Sequence, residues 1–313
     1  MDNKAASNSD KNSIDHPGAS TRSVLVWSNK TTQPERDCIV EETPVALVYN
    51  GISHAVMMVS PLELEAFALG FSLTEGIVER PSDVYQIDTF EVENGVELRL
   101  TISNRRFMQL KALRRNLVGR SGCGICGVQS LDHIQKSLPT VTSEFCVSHS
   151  AIDTATSTLT TYQRLQVVTG GVHGAAWCDS EGNIVHLCED VGRHNALDKL
   201  IGSLWAEPVQ LKRAEVNKAQ GYKGLSGNLL QKPGFLLISS RASYEIVQKA
   251  ARASISVVVA VSAPTSLAID IAQQTGTTLV GFARRDRHVV YSHGERLTGE
   301  ITSNKGEDNC DGN

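Results

Sequence analysis

Long apolar runs are absent from this 313-residue sequence, and no window approaches the roughly 20 apolar residues that a membrane-spanning helix needs. The opening segment, MDNKAASNSDKNSIDHPGAS, is polar and lacks the apolar core of a secretory signal. An excess of positive charge is also absent, because the net charge is −4, and this argues against wholesale binding of nucleic acid. We therefore expect a cytoplasmic protein with no membrane segment and no nucleic-acid partner.

Close cysteine pairs are scarce. Of the seven cysteines, only Cys123 and Cys126 stand at CxxC spacing, and no second pair accompanies them. An odd number of scattered cysteines does not suit a disulfide framework, and a reducing cytosol would keep the thiols free. We expect packing or surface roles for Cys38, Cys146, Cys178 and Cys188.

The sequence does contain enough apolar residues for a sizeable core, at 41%, and its pattern changes character near residue 120. Before that point, strand-like segments flank Asn50-Gly51 and Asn94-Gly95. Asn-Gly fits a type I′ turn because both central residues of that turn need positive φ. The sequence therefore predicts two β-hairpins in a small α+β unit.

Two helices are predicted in the same unit. For the first, Ser60 can cap the start, Pro61 fits the first position, Glu63 completes a capping box and Gly76 can end the helix. The second begins at Asn104 and carries basic residues without an acid between them. These residues are Arg105, Arg106, Lys111, Arg114 and Arg115, with Arg120 just beyond. The basic run is either a solvated face or an approach surface for an anion or an acidic partner.

After the cysteine pair, helix-like segments alternate with short apolar runs such as FLLIS and SVVVAV, which are typical of strands covered on both faces. This alternation predicts an α/β layered domain with at least partly parallel strands. We predict a small α+β domain over residues 21–118, an α/β domain over 119–300, and disordered tails over 1–20 and 301–313.

The glycine-rich loop GRSGCGICG, around Cys123 and Cys126, allows three chemistries. Structural zinc needs four ligands, and no second CxxC accompanies this one, so we expect no stoichiometric zinc. Thioredoxin-like exchange normally places CxxC between a strand and a helix, whereas this pair follows a basic helix. Persulfide carriage needs an exposed, mobile thiol of lowered pKa, which the glycines and the upstream arginines favour. A tight turn without chemistry is the remaining interpretation.

Polar turns near the predicted strand ends form a second set of candidates. EDVGRHNALDK holds Glu189, Asp190, Arg193 and His194, and TGGVHGAA surrounds His173. Ligands bind at such sheet edges. A capping and salt-bridge network explains EDVGRHNALDK equally well, and His173 has a structural role as its alternative interpretation. The segments SSRASYE, SAPTS and FARRDR follow apolar strands, and their amides, hydroxyls and arginines suit a nucleotide-like anion.

Together these segments resemble one family. GRSGCGICG, TGGVHGAAWC, EDVGRHNALDKLIG, SSRASYE, SAPTSLAID and LVGFARRDR are similar to motifs of the formate dehydrogenase accessory sulfurtransferases, the FdhD family. The likeness runs from about residue 40 to about residue 300. It implies an α/β fold, with a C-terminal cytidine-deaminase-like three-layer domain and a smaller N-terminal α+β domain.

The resemblance also implies a function and partners. A cysteine desulfurase would pass sulfur to a cysteine persulfide on this chain, for delivery to the molybdenum bis(molybdopterin guanine dinucleotide) cofactor of formate dehydrogenase. The implied catalytic residues are Cys123, the first cysteine of the motif, and Cys126 beside it. A homodimer is implied as well. The implied cofactor-binding stretch comprises Phe282, Ala283, Arg284, Arg285, Asp286 and Arg287.

Alternatives stay open at this point. The dipole of the helix predicted after the loop favours a thiolate at Cys126, but that effect is only about 0.3–1 kcal/mol at exposed sites, so we follow the resemblance to Cys123. A zinc nucleotide deaminase would need His-x-Glu followed by Pro-Cys-x-x-Cys, but the CxxC here follows Gly122 rather than proline, and no His-x-Glu precedes it. The other alternative is a non-catalytic chaperone that binds the cofactor and docks onto formate dehydrogenase.

Overall fold

The computed structural model describes residues 16–118, 138–205, 230 and 232–299. Fourteen strands and seven α-helices lie in these residues, and none of these helices is long and apolar enough to cross a membrane. The strands are β1 (Ala19–Ser28), β2 (Thr31–Val40), β3 (Thr43–Tyr49), β4 (Ile52–Val59), β5 (Val84–Val92), β6 (Gly95–Ile102), β7 (Val147–Ser148), β8 (His173–Asp179), β9 (Ile184–Asp190), β10 (Gly234–Ile238), β11 (Val257–Ala260), β12 (Thr278–Arg284), β13 (Arg287–Ser292) and β14 (Leu297–Thr298). The helices are α1 (Leu64–Thr74), α2 (Asn104–Val118), α3 (His149–Tyr162), α4 (Arg164–Thr169), α5 (Arg193–Trp205), α6 (Tyr244–Arg252) and α7 (Ser266–Thr275).

The N-terminal unit is a four-stranded sheet in the order β4-β3-β6-β5, covered on one face by α1. Its core includes Tyr49 and Phe67, both fully buried, and the Tyr49 hydroxyl is 2.8 Å from Ser72 Oγ. The predicted turn between β3 and β4 is confirmed, because Asn50 and Gly51 have φ values of 46° and 82°. A separate two-stranded ribbon, β1 and β2, precedes this sheet and begins at Ala19, inside the tail predicted over residues 1–20.

The second predicted hairpin forms, but its turn differs from the prediction. Val92 pairs with Gly95, so the central residues are Glu93 and Asn94 rather than Asn94 and Gly95. Neither of these two residues has positive φ, so the turn is not type I′. Gly95 is instead required by packing, because a Cβ atom there would lie 2.2 Å from the Pro44 carbonyl oxygen.

The start of α1 also differs from the prediction. The helix begins at Leu64, preceded by Glu63 in the left-handed region with φ 53°, and Glu63 makes no side-chain capping bond. Ser60 does not cap the helix. Its backbone N–H donates to Asp190 Oδ2 at 2.9 Å, and its hydroxyl accepts from the Val191 N–H at 3.2 Å. A tertiary contact has therefore replaced the local capping box.

The C-terminal domain has three layers. Its six-stranded sheet runs in the order β13-β12-β11-β10-β8-β9, with β10, β11 and β12 parallel and the other pairs antiparallel. Alternate residues of the strands face opposite layers: Trp177 packs towards α5, α6 and α7, whereas Cys178 packs towards α3. The predicted α/β fold, a three-layer domain beside a smaller α+β unit, is confirmed.

The two units pack through α1 and α5. A Cβ atom added at Gly70 would lie 1.8 Å from the Asp198 carbonyl oxygen, and one at Gly202 would lie 1.9 Å from that of Ala66. Only glycine permits this close approach of the two helices. The predicted domain boundary at residue 119 lies outside the described residues and stays a prediction.

One helix predicted up to Gly170 is divided. Helix α3 ends at Tyr162 and α4 begins at Arg164, with Gln163 between them outside helical geometry at φ −81° and ψ 73°. The Glu189 carboxylate accepts from the N–H groups of Leu165 and Gln166, both at 2.8 Å, and so satisfies donors at the start of α4.

Candidate functional site

The predicted catalytic residues Cys123 and Cys126 lie in residues 119–137, outside the described residues, as do Arg120 and most of the helix predicted after the loop. The described cysteines are all free thiols. Burial raises the pKa of the Cys178 and Cys188 thiols, so neither is a thiolate nucleophile at neutral pH. Their burial fits the predicted packing role.

The polar turns singled out in the sequence meet at one edge of the six-stranded sheet. Strand β10 ends at Ile238, which pairs with Ala175 near the start of β8, so the turn before β8 lies beside the turn after β10. The Gly174 N–H donates to Ser239 Oγ at 2.9 Å. The Phe282 N–H donates to the Ser262 carbonyl at 3.1 Å, and this hydrogen bond joins β12 to the turn after β11. Such an edge is where α/β proteins bind ligands.

Charged side chains line this edge where β9 leads into α5. His194 Nε2 is 2.7 Å from the Glu245 carboxylate and 3.2 Å from Ser243 Oγ. The hydrogen bond with His194 holds the pKa of Glu245 below its ordinary value. Burial, and then the neighbouring Arg193 and His194, lower the pKa of His173, so that imidazole is neutral at pH 7.

Arg193 supplies a donor suited to an anion at this edge. Its Nε atom is buried and has no hydrogen-bond partner within the described part of the chain. A buried guanidinium donor without a partner is costly, and a phosphate or carboxylate oxygen would satisfy it. The edge can therefore bind an anionic group.

The segment EDVGRHNALDK serves both of the roles considered for it. Asp190 and Lys199 form a fully buried ion pair, and Asn195 Nδ2 donates to Asp190 Oδ1 at 3.1 Å. This half is a structural network. Arg193 and His194 instead lie at the sheet edge, close to His173.

The implied cofactor-binding stretch was predicted to follow a strand. It instead spans the end of one strand and the start of the next. Phe282 to Arg284 complete β12, Arg285 and Asp286 form a turn, and Arg287 opens β13. Phe282 has a left-handed φ of 51° beside a register shift between β12 and β13. The backbone is therefore irregular where this stretch leaves the sheet edge.

The side chains of the stretch divide into two groups. Ala283 is fully buried in the core beneath α3, so its side chain cannot contact a ligand. The three arginines, Arg284, Arg285 and Arg287, are exposed. Arg284 lies directly opposite Arg287 in the hairpin, and neither makes an ion pair with another described residue. Like charges placed opposite each other repel, and an anion bound between them removes that repulsion.

The basic helix α2 is partly neutralised. The Arg106 side chain is almost fully buried and pairs with Glu79 and with Asp83, the latter at 3.3 Å. Arg105 lies 3.8 Å from Glu79 at the surface. For this first turn of the helix, a structural role has therefore replaced the proposed approach surface.

One cluster was not predicted from the sequence. Glu63, His186 and Cys188 each offer a metal-ligating atom, and these atoms all lie within 4.8 Å of one another. His186 and Cys188 share a face of β9, whereas Glu63 comes from the segment before α1. The only sequence signal was the i, i+2 spacing of a histidine and a cysteine on a predicted strand, which names no third ligand.

Comparison with known proteins adds an independent line of evidence. The model of the FdhD/NarQ family matches residues 40–298. The sulfur carrier protein FdhD of Acinetobacter baylyi is 48% identical over 257 residues, which cover 82% of this chain and 86% of the relative. That of Cupriavidus necator is 45% identical over 91% of this chain and 92% of its own length. A solved structure described as a formate dehydrogenase accessory protein of Desulfotalea psychrophila has the same fold, with a TM-score of 0.64 at 22% identity, over 90% of this chain and all of that one.

Proposed function

The chain belongs to the FdhD/NarQ family, and from this membership we propose that it is a cytoplasmic sulfurtransferase that acts through a cysteine persulfide. Its sulfur donor would be a cysteine desulfurase. Its acceptor would be the molybdenum bis(molybdopterin guanine dinucleotide) cofactor, bound as a substrate and destined for formate dehydrogenase. The observation that carries this proposal is the extent of similarity to relatives named sulfur carrier proteins, 45–48% identity over most of the chain.

The proposed transfer begins at Cys123. Its thiolate attacks the outer sulfur of the donor persulfide, the donor S–S bond breaks, and the donor cysteine leaves as a thiolate. One sulfur atom has then moved without net oxidation. In a second exchange, the Cys126 thiolate attacks Cys123 Sγ and the outer sulfur leaves as sulfide towards the cofactor. The resulting Cys123–Cys126 disulfide is reopened by a thiol reductant.

The cofactor would be held at the edge of the six-stranded sheet. The exposed Arg284 and Arg287 lie opposite each other, and Arg193 and His194 lie at the same edge. Guanidinium groups suit diphosphate oxygens and the acceptor edge of guanine. Holding the nucleotide end of the cofactor here would leave its metal end for the cysteine loop. We propose that a homodimer carries out these steps.

A non-catalytic cofactor chaperone is the second candidate. One observation favours it: the arginines suited to an anion, Arg193, Arg284 and Arg287, would bind that anion without either loop cysteine. The two functions differ in whether the loop cysteines gain sulfur. A nucleotide deaminase is disfavoured because its zinc-binding signature is missing from the sequence.

Intact-mass analysis separates the candidates. The purified chain is incubated with a cysteine desulfurase and cysteine, and its mass is measured without reductant. A sulfurtransferase gains one sulfur atom on the CGIC peptide, and Cys123→Ala abolishes the gain. Cys146→Ala, which removes an exposed free cysteine, is the matched control and keeps it. No gain in the parent leaves only the chaperone candidate, whereas an equal gain in Cys123→Ala shows that Cys123 is not the cysteine that accepts the sulfur.

A further inference from the structure

A buried cluster of ligating side chains lies on β9 and in the segment before α1. We propose that Glu63, His186 and Cys188 bind one divalent transition-metal ion of the zinc class, which links the N-terminal unit to the C-terminal sheet. Glu63 precedes α1 of the first unit, whereas His186 and Cys188 belong to β9 of the second. The site goes beyond sulfur transfer and requires neither Cys123 nor Cys126.

The distances in the cluster fit coordination. Cys188 Sγ is 3.4 Å from His186 Nε2, and all three ligating atoms lie within 4.8 Å of one another. Zinc bonds of about 2.0–2.3 Å in tetrahedral geometry place ligand atoms about 3.4–3.6 Å apart. The thiol and the imidazole already have this separation, and the Glu63 carboxylate lies within 4.8 Å of both.

The charges of the cluster fit a divalent ion. On binding, an ion takes up a neutral His186 imidazole and displaces the proton of the Cys188 thiol. A thiolate, a carboxylate and a neutral imidazole then balance a 2+ charge, and no net charge is buried.

The nearest cation does not oppose this balance. Lys199 contributes positive potential at Cys188, but its ammonium group is 2.8 Å from Asp190. The same ammonium group donates to the Ser60 carbonyl at 2.9 Å. Its charge is therefore already compensated.

The backbone at Glu63 supports a site rather than a helix cap. Glu63 has a left-handed φ of 53°, an uncommon conformation for a residue with a side chain, and makes no side-chain capping bond. Its carboxylate instead lies within 4.8 Å of the ligating atoms of His186 and Cys188. Local rules are broken in this way mainly where a tertiary role requires it.

Three protein ligands leave the fourth tetrahedral position to a water molecule, which is a familiar zinc arrangement.

The proposal departs from the expectation that the protein holds no zinc. That expectation rested on the single CxxC pair in the sequence. The three ligands here come from two units of the fold, and sequence spacing does not bring them together. A buried hydrogen-bonded cluster that binds no ion is the alternative.

Cobalt(II) is the probe for this site, because thiolate coordination to Co²⁺ gives a charge-transfer absorption and tetrahedral geometry gives strong visible bands. The titration uses the full chain with Cys123→Ala and Cys126→Ala, so that the loop provides no thiolate. We expect one Co²⁺ per chain, displaced by Zn²⁺. Adding Cys188→Ala removes the charge-transfer band, whereas Cys178→Ala, at another buried cysteine on the adjacent β8, keeps it.

A second variant covers the possibility that Cys188→Ala fails to fold. Glu63→Gln keeps the size of a half-buried side chain and should weaken Co²⁺ binding by more than about 100-fold, since even outer-shell changes cost 10–100-fold. Zn²⁺ should raise the Tm of the parent and not that of Glu63→Gln. Absence of saturable Co²⁺ binding overturns the proposal. So does a thiolate band that survives Cys188→Ala, or Co²⁺ affinity and Zn²⁺ stabilisation unchanged in Glu63→Gln.

Discussion

Asp190 and Lys199 form an ion pair of 2.8 Å in which neither side chain is exposed to solvent. Both partners also bind the backbone of Ser60, whose N–H donates to Asp190 and whose carbonyl accepts from Lys199, each at 2.9 Å. The Gly192 N–H donates to the second Asp190 oxygen at 2.8 Å. The pair therefore holds the segment before α1 against the C-terminal domain, with its hydrogen bonds satisfied.

Lys199→Met tests how much this ion pair contributes to the free energy of unfolding. The substitution leaves the Asp190 carboxylate buried without its counter-ion, and we expect the free energy of unfolding to fall by about 3–5 kcal/mol. Urea denaturation measures it. Arg99→Met is the control, because Arg99 pairs with Glu97 at the surface and its loss should cost less than about 1 kcal/mol. Equal losses in the two variants would contradict the structural role assigned to Lys199.

Glu75 should contribute to the pH dependence of stability. Burial alone would raise the pKa of Glu75, but Lys249, whose ammonium group is 2.8 Å away, outweighs burial and lowers that pKa below its ordinary 4.5. The contribution is therefore present above pH 4.5 and is lost as the pH falls through the lower, folded-state pKa. Below pH 4.5, stability should fall more steeply in the parent than in Glu75→Gln, as measured by urea unfolding at each pH.

The control for this prediction is Glu91→Gln, which changes an exposed carboxylate on β5. Its stability curve should run parallel to that of the parent over the same pH range. A Glu75→Gln curve that also runs parallel would show that the Lys249 contact does not stabilise the folded state.

Local signals predicted most of the fold. The turn at Asn50 and Gly51, the helix from Asn104 and the alternating strands and helices of the C-terminal domain are all confirmed. These elements follow from side-chain period and turn chemistry, which neighbouring residues determine. The elements predicted wrongly are those in which a distant residue supplies the partner.

Ser60 and Glu63 illustrate why those predictions failed. The pattern fits a capping box, but Ser60 binds Asp190 and Val191, and Glu63 faces His186 and Cys188. For the same reason, the sequence predicted that the polar turns lie at sheet edges, but it did not predict which of these turns contact one another. That arrangement depends on strand order, which single-sequence patterns do not specify.

We predict that Cys123→Ala abolishes delivery of sulfur and leaves the fold intact, because the substitution removes only the proposed sulfur-carrying thiol. The measurement is formate dehydrogenase activity in cells that lack their own accessory protein and carry the variant. Cys146→Ala should restore activity to the level of the parent chain, since this exposed cysteine has no proposed role. Full activity with Cys123→Ala would exclude its role as the sulfur carrier.

Arg284 and Arg287 should select guanine over adenine at the nucleotide end of the cofactor. Both are exposed and lie opposite each other in the hairpin, without an ion pair to another described residue. Guanine presents two acceptors, O6 and N7, to a guanidinium fork, whereas adenine presents a donor in place of O6. We therefore expect GDP, used as a fragment of the cofactor, to bind more tightly than ADP in calorimetry. Arg284→Ala and Arg287→Ala should each cost about 1.5–3 kcal/mol, or roughly 10- to 150-fold in affinity.

Two controls make the assignment of this stretch specific. Arg22→Ala removes an exposed arginine from β1 and should leave GDP binding unchanged, which separates a local contact from a general effect of net charge. Cys123→Ala should also bind GDP as the parent does, because holding the nucleotide and carrying sulfur are separate tasks. Equal binding of GDP and ADP would remove the guanine assignment. Unchanged GDP affinity in both arginine variants would show that residues 282–287 do not bind the cofactor, and Arg193 would then be the residue to test, because its buried Nε lacks a partner within the described residues.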